Sequence, residues 1–384
     1  MVNPYISLFL AQDIKATNEQ IGTYVTLSSI SAMALSVLIA KRVDKTKHYK
    51  RWIGIAISAA IMGYYLYSIV TSYIATLIIS TTLIGIATCL SALIYAYAKD
   101  LFIQNNVNEQ RVASLRIFVS LAWVIGPLFG MIAFKYENFE GVFKACSCGY
   151  LIAALVLLLL FQKNKRIDYN GNSLKNHRNN TNTKKIYILI YFVVFVLLQM
   201  VNAVLNTNIP LYITEILGYE NMYVGWISSF NAIVEIPITM LCIVLSRQRN
   251  IKKLICFGIL NGIIFILLLT RIDSIYCIIA IHFIKAVYVS ICMSLGIVFF
   301  QNMIPQKYGL STILFTNTTR VGSIFSGMVI SLFGNKYVKS FYMLLLVCVI
   351  SLVALPQKTT VVKFRISIER TKQNNISKNA SRYV

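Results

Sequence analysis

The sequence predicts an all-α integral membrane protein, and three observations carry that prediction. Hydrophobic residues fill 57% of the 384 positions and charged residues only 13%, with a mean hydropathy of +0.69, a balance outside that of soluble globular domains. The apolar residues are gathered into long runs separated by short polar stretches. The basic residues crowd into every second stretch, as they do when a chain crosses a bilayer repeatedly.

A helix crossing a hydrocarbon core of about 30 Å needs roughly 20 apolar residues. Eleven runs reach that length: 21–40, 52–70, 74–98, 112–134, 142–161, 186–210, 222–245, 252–270, 275–300, 310–334 and 338–355. The first stops at Lys41-Arg42, and the second and third are parted by Thr71-Ser72. The fourth carries Gly126, Pro127 and Gly130 before the acids Glu137 and Glu140 precede the fifth. A polar, basic stretch separates the fifth from the sixth, 186–210. The seventh holds Glu235 and Pro237, the eighth and ninth are parted at Arg271 to Ser274, the tenth holds Arg320 and the last ends before Pro356.

Twenty-seven of the 36 Lys and Arg lie in residues 41–51, 99–111, 163–185 and 247–253, at Lys307, or after 357, against six in the opposite set of stretches. This asymmetry assigns the first set, and the C-terminus, to the cytoplasm. It also accounts for the net charge of +23 without a nucleic-acid partner. The eight cysteines lie within or at the edges of the runs, none with zinc-finger spacing, and read as small apolar side chains. No metal or cofactor is expected.

With this orientation the chain before Gln20 enters from the outer face, where Met1 to Ala11 supplies about 16 Å of helix, half the core. MVNPYISLFLAQD is therefore expected to be the outer half of a first helix whose inner half is absent. A signal peptide is disfavoured, since no basic n-region or small-residue cleavage site is present. The chain also repeats itself. An offset of 203 aligns Leu8-Phe9-Leu10 with Leu211-Tyr212-Ile213 and Gly22 with Gly225; an offset of 204 aligns Arg116 with Arg320 and Leu128-Phe129-Gly130 with Leu332-Phe333-Gly334. The expected organisation is two homologous six-helix halves: a bundle over 1–161 with its first helix incomplete, a cytoplasmic linker 162–185, a second bundle over 186–356, and a basic cytoplasmic tail 357–384.

Two parallel six-helix halves with a cytoplasmic linker resemble the major facilitator superfamily. The stretches ISLFL, IAKRVDKTKHYKR, SLAWVIGPLFG, IPLYI, Glu235-Ile236-Pro237, FFQNMIP and LFTNTTRVGSIFSG resemble the sugar efflux transporter family of bacterial inner membranes. The resemblance implies export of small sugars and glycosides in exchange for protons. It also implies a conformational latch in the loop after the second helix, here Lys41, Arg42, Asp44 and Arg51. The superfamily pattern has a glycine four residues before the acid, where this chain has Ala40. Gly126, Pro127 and Gly130 permit a bend and close helix packing, and their stretch resembles the fifth-helix signature of superfamily antiporters.

Charged groups at membrane depth are costly and mark candidate sites. Of the 13 acids only Glu235 falls in mid-helix, which makes it the candidate proton-coupling group; a structural role, neutral and hydrogen-bonded, is the alternative. Arg116, Lys285 and Arg320 are the bases inside runs. Lys285 and His282, three apart, share a helix face and are expected to reach one cavity, with Lys285 either a substrate ligand or the ion-pair partner of Glu235. Arg116 sits one turn inside its helix, where it either snorkels or meets substrate; Arg320 is deeper. Asn202, Asn206, Asn231 and Asn317 complete the candidate substrate-binding set. Amides and aromatic rings suit a polyhydroxylated ligand, and asparagine also serves as interhelical glue.

The expected function is export of a sugar or sugar-like solute across the cytoplasmic membrane by proton antiport, performed by a monomer with the lipid bilayer as its other partner. A multidrug or other metabolite antiporter of the same fold is the first alternative, and a non-transporting receptor or scaffold the second. No nucleophile, base and orienting group emerge from the spacing, so catalysis is not expected.

Overall fold

The computed structural model describes residues 2, 4–46, 48–104, 115–163, 185–248, 250–303 and 308–355, and these are helical with short turns between. Residues 164–184 of the expected linker and the expected tail 357–384 lie outside the described residues, as do the side chains of Asp44 and Arg116. Eight described segments are long and apolar enough to cross a membrane, so this is a multi-pass membrane protein. Apolar side chains also cover much of its outer surface: Leu332 and Val353 are each 80% exposed, as suits a surface solvated by lipid.

Helix α1 is short, Ile6–Leu8 continued by a widened π turn at Phe9–Asp13. Helix α2 is Asn18–Thr46 and α3 is Tyr49–Tyr67. Helix α4 begins at Tyr73–Ile79, widens at Ser80–Ile84, and resumes through Gly85–Ala87 and Leu90–Gln104. The segment Leu115–Lys163 is helical except at Glu137 and Asn138 (φ 53°), which divide it into α5 (115–136) and α6 (139–163). The two runs expected at 112–134 and 142–161 thus meet across a break of two residues. An asparagine fits there because its short polar side chain tolerates the left-handed region better than most.

Helix α7 is Lys185–Leu211 with a π turn at Tyr212–Ile216, α8 is Met222–Gln248 and α9 is Ile251–Leu269, its N-terminus capped by Asn250, which accepts from the Lys252 amide at 3.0 Å. Helix α10 runs Ile275–Val289, widens at Ser290–Leu295 and continues through Gly296–Met303; α11 is Tyr308–Phe333 and α12 is Tyr337–Ala354. Helices α7 and α10 are the most buried. Their aromatic rings interlock: Tyr191 and Phe195 on α7 meet Phe299 and Phe300 on α10 at centroid distances of 4.6 to 6.0 Å.

The repeat read from the sequence recurs in the backbone. The π turn at Phe9–Asp13 returns 203 residues later at Tyr212–Ile216. Both end the same way. Lys15 (φ 53°) closes α1, with the Ala16 amide donating to the Leu10 carbonyl at 2.8 Å; Gly218 (φ 72°) closes α7, with the Tyr219 amide donating to the Ile213 carbonyl at 3.1 Å. These are left-handed helix stops in which a six-residue backbone bond satisfies a terminal carbonyl. π turns are uncommon and mark functional places in helices, so their return at one offset identifies α1 and α7 as equivalent elements.

The two sets of helices join along α2 with α11 and α5 with α8. Gly22 and Gly327 face one another: a Cβ on Gly327 would meet the Gly22 carbonyl, Thr26 Oγ1 and, at 2.7 Å, the Thr26 amide. At the other seam Gly225 of α8 lies against Met131 and the Pro127 carbonyl of α5. Gly22 and Gly225 are themselves 203 residues apart, so the repeat places the same small residue at both seams, where only a missing Cβ admits the neighbouring backbone.

Candidate functional site

At the Asn18 end of α2 the seam is closed by polar groups. Asn18 Nδ2 donates to Asn335 Oδ1, and Ser331 Oγ donates to the Glu19 carbonyl at 3.1 Å. The Tyr337 hydroxyl donates to Glu215 Oε2 at 2.7 Å and stands 3.5 Å from Asn18 Oδ1. Gln12 and Asn221 bond each other reciprocally at 2.7 and 3.2 Å. Sequence reasoning passed over all of these, although Asn18 and Asn221 are also 203 apart and the repeat could have singled them out. Towards the Thr46 end Ser36 is the last α2 residue with a described hydrogen bond to α11, and the described α2 side chains beyond it are exposed except Ile39 and Val43, which pack against α3. Lys41, Arg42 and Arg51 are exposed, and Asp44, the fourth expected latch residue, has its side chain outside the described residues.

Between these ends lie the candidate substrate and coupling groups. Arg320, half-buried on α11, donates from Nη1 to Ser36 Oγ of α2; its repeat partner Arg116 begins α5, with a side chain outside the described residues. Asn317, one turn before Arg320, is half-buried. Lys285 of α10 is buried at 6% exposure and donates from Nζ to Asn206 Oδ1 of α7 at 3.1 Å. Asn206 is exposed, whereas Asn202 one turn before it is half-buried. Glu235 is half-buried on α8, is close enough to Lys285 to act on it electrostatically, and its backbone carbonyl accepts from Ser290 Oγ at 3.1 Å. Pro237 removes a backbone donor beside it, within a helix that continues from Met222 to Gln248.

The face shared by His282 and Lys285 resolves into two environments. His282 is buried, and its ring stands edge-on to Phe265 of α9 at 5.3 Å. Nδ1 lies 2.7 Å from the Ile278 carbonyl, which only accepts, so Nδ1 carries a proton; Nε2 is buried without a partner among the described residues. Asn202 Oδ1 and Asn231 Oδ1 are likewise buried oxygens without a described partner. Helix spacing puts Asn231 on the face of Glu235 and Asn202 on the face of Asn206, and α8 packs along α10. Asn206, Lys285 and Glu235 therefore form one group drawn from α7, α10 and α8, with unsatisfied amide oxygens a turn away on α7 and α8. Of the packing residues, Pro127 and Gly130 are buried and Gly126 half-buried. Among the described residues no cluster of metal ligands occurs.

Two related sets of helices, sealed against each other at one end and carrying charged and amide side chains between them, define a multi-pass membrane carrier. The Major Facilitator Superfamily profile matches residues 1–326, and the chain belongs to that family. It is 25% identical over 326 residues to sugar efflux transporter A of Dickeya chrysanthemi, covering 84% of this chain and 82% of that protein. It is 24% identical over 355 residues to sugar efflux transporter A of Escherichia coli K12, covering 92% and 89%. In fold it is similar to a crystal structure of a variant of the nucleoside transporter NupG, with a TM-score of 0.76, 14% identity, and 95% and 96% of the two chains covered.

Proposed function

We propose that this chain exports a sugar or sugar-like small polar solute across a bacterial cytoplasmic membrane by alternating access, with its C-terminus in the cytoplasm. The amide and charged groups of α7, α8, α10 and α11 carry the reading, because hydroxyl-rich solutes need partners that both donate and accept. Kinship with two proteins named sugar efflux transporters, across more than four-fifths of each chain, supports it.

In this reading the Asn18 end faces outwards and is shut, so solute enters from the cytoplasm beside Asn206 and Arg320. Opening then breaks the Asn18–Asn335, Gln12–Asn221 and Ser36–Arg320 contacts and closes the Thr46 end instead. Glu235 carries the coupling proton, and Lys285 is a cation on which its charge acts. Antiport requires that solute and proton compete for one constellation, and Glu235, Lys285 and Asn206 supply it. The protein works as a monomer: the seams that move lie within the chain.

Counterflow in proteoliposomes tests the reading. Vesicles preloaded with unlabelled solute are diluted into a panel of labelled neutral sugars, sugar acids and a cationic dye. Transient accumulation of a saccharide is expected. Accumulation of the dye alone supports a multidrug carrier, and accumulation of nothing supports a receptor or scaffold.

A further inference from the structure

We infer that the exported solute is anionic, a saccharide bearing one carboxylate, an inference that rests on the export reading above. Three charged side chains stand in the middle of the described membrane helices: Glu235, Lys285 and Arg320. Two are cations and one is an acid. The ion pairs within 4.0 Å among the described residues are those of Lys144 with Glu137 and Glu140, so neither cation is in contact with a described carboxylate. Glu235 acts on Lys285 from a distance. Arg320 bonds a neutral hydroxyl, Ser36 Oγ.

A charge held in a low-dielectric interior without a contacting counter-ion is costly. One acid offsets one of the two cations, and the described groups retain one positive charge for an anion to neutralise. Lys285 also shows where an anion would sit. Its ammonium is buried while the amide it grips, Asn206, is exposed. Holding Asn206 by its Oδ1 leaves Nδ2, a double donor, to meet a solute. A carboxylate arriving there meets that amide first, with the lysine charge directly behind it.

The neighbouring groups have the opposite polarity. Asn202 Oδ1 and Asn231 Oδ1 are acceptors without described partners, each one turn from a member of the charged group. Acceptors of this kind match hydroxyl groups and would repel a second carboxylate. Donors backed by a cation beside vacant acceptors match a molecule with one acidic end and a hydroxylated body, which is a sugar acid.

The test is competition in proteoliposomes between D-glucose and D-glucuronate, which differ by one carboxylate on the same ring. For the unaltered protein, glucuronate should exchange and should displace glucose at least about tenfold better than glucose displaces itself. Lys285→Gln should lower that ratio about tenfold, and Lys285→Arg should largely keep it. Glucose exchange that glucuronate does not inhibit overturns this inference and leaves the export reading standing. Exchange of neither overturns this inference, and the wider panel of labelled saccharides and dye then decides the export reading. A preference for glucuronate that survives Lys285→Gln overturns the assignment to Lys285. The competition with unaltered protein needs no variant, so a Lys285→Gln chain that fails to insert does not remove the test.

Discussion

Gly327→Ala should drive α2 and α11 apart at the seam. The added Cβ would lie 2.7 Å from the Thr26 amide nitrogen and press on Thr26 Oγ1 and the Gly22 carbonyl. Carbon contacts are at rest near 3.5–4.0 Å, so the helices must separate by about 1 Å there. Two of the three obstructing atoms are backbone, and no rotamer change relieves them. Overpacking of this kind costs about 1–3 kcal/mol, and the cost falls only on the arrangement in which the two helices touch. Alanine's higher helix propensity, about 1 kcal/mol over glycine, applies to every arrangement and cancels. The population should therefore move about 5- to 150-fold away from the arrangement closed at the Asn18 end. Spin labels at Glu19→Cys and Lys336→Cys, exposed sites beside the Asn18–Asn335 contact, report the separation once the eight native cysteines are replaced. Longer distances are expected for Gly327→Ala. Gly54→Ala and Gly149→Ala, whose Cβ atoms would meet nothing within 4 Å, should leave the distribution unchanged. A Gly327→Ala distribution identical to that of the unaltered chain refutes the reasoning.

Arg320→Ala should reduce counterflow more than Arg116→Ala at matched expression, because Arg320 lies deeper in the membrane and bridges α11 to α2 through Ser36; equal losses would contradict the ranking, and rates matching the unaltered chain in both would show that neither guanidinium acts in transport. Gln12→Ala and Asn221→Ala each break the same reciprocal pair, so their effects on the Glu19–Lys336 separation should not add, with a coupling of about 0.5–1.5 kcal/mol for neutral hydrogen bonds. Additive effects would place the two amides on independent structures. Glu235→Gln should spare downhill exchange of solute while removing proton movement coupled to it, read with a pH-sensitive dye inside the vesicles.

Much of the fold was legible because a bilayer forces long apolar runs, and the repeat was legible because both halves solve the same packing problem. Gly22 and Gly225 were aligned by residue identity, and each proved to lie at a seam. The π turns at Phe9–Asp13 and Tyr212–Ile216 were not foreseen, since widening a helix by one residue leaves no mark in composition. Ser36 was missed for a similar reason: one serine among many carries no sign that an arginine 284 positions away will find it. The three-residue spacing of His282 and Lys285 placed them on one face, but a face borders two neighbouring helices. His282 turned to Phe265 on α9 and Lys285 to Asn206 on α7, a choice set by tertiary packing. Glu235 was singled out as a candidate by depth alone, because charges inside a membrane are few enough to count.

Accumulation of solute in everted membrane vesicles, driven by a proton gradient, measures the central claim most directly. The labelled solute is whichever of glucose and glucuronate counterflow selects, and the comparison is between the unaltered chain and Glu235→Gln at equal expression. The account predicts uphill accumulation by the unaltered chain that a protonophore abolishes, and none by Glu235→Gln. Uphill accumulation that persists in Glu235→Gln, or that ignores the protonophore, would contradict it.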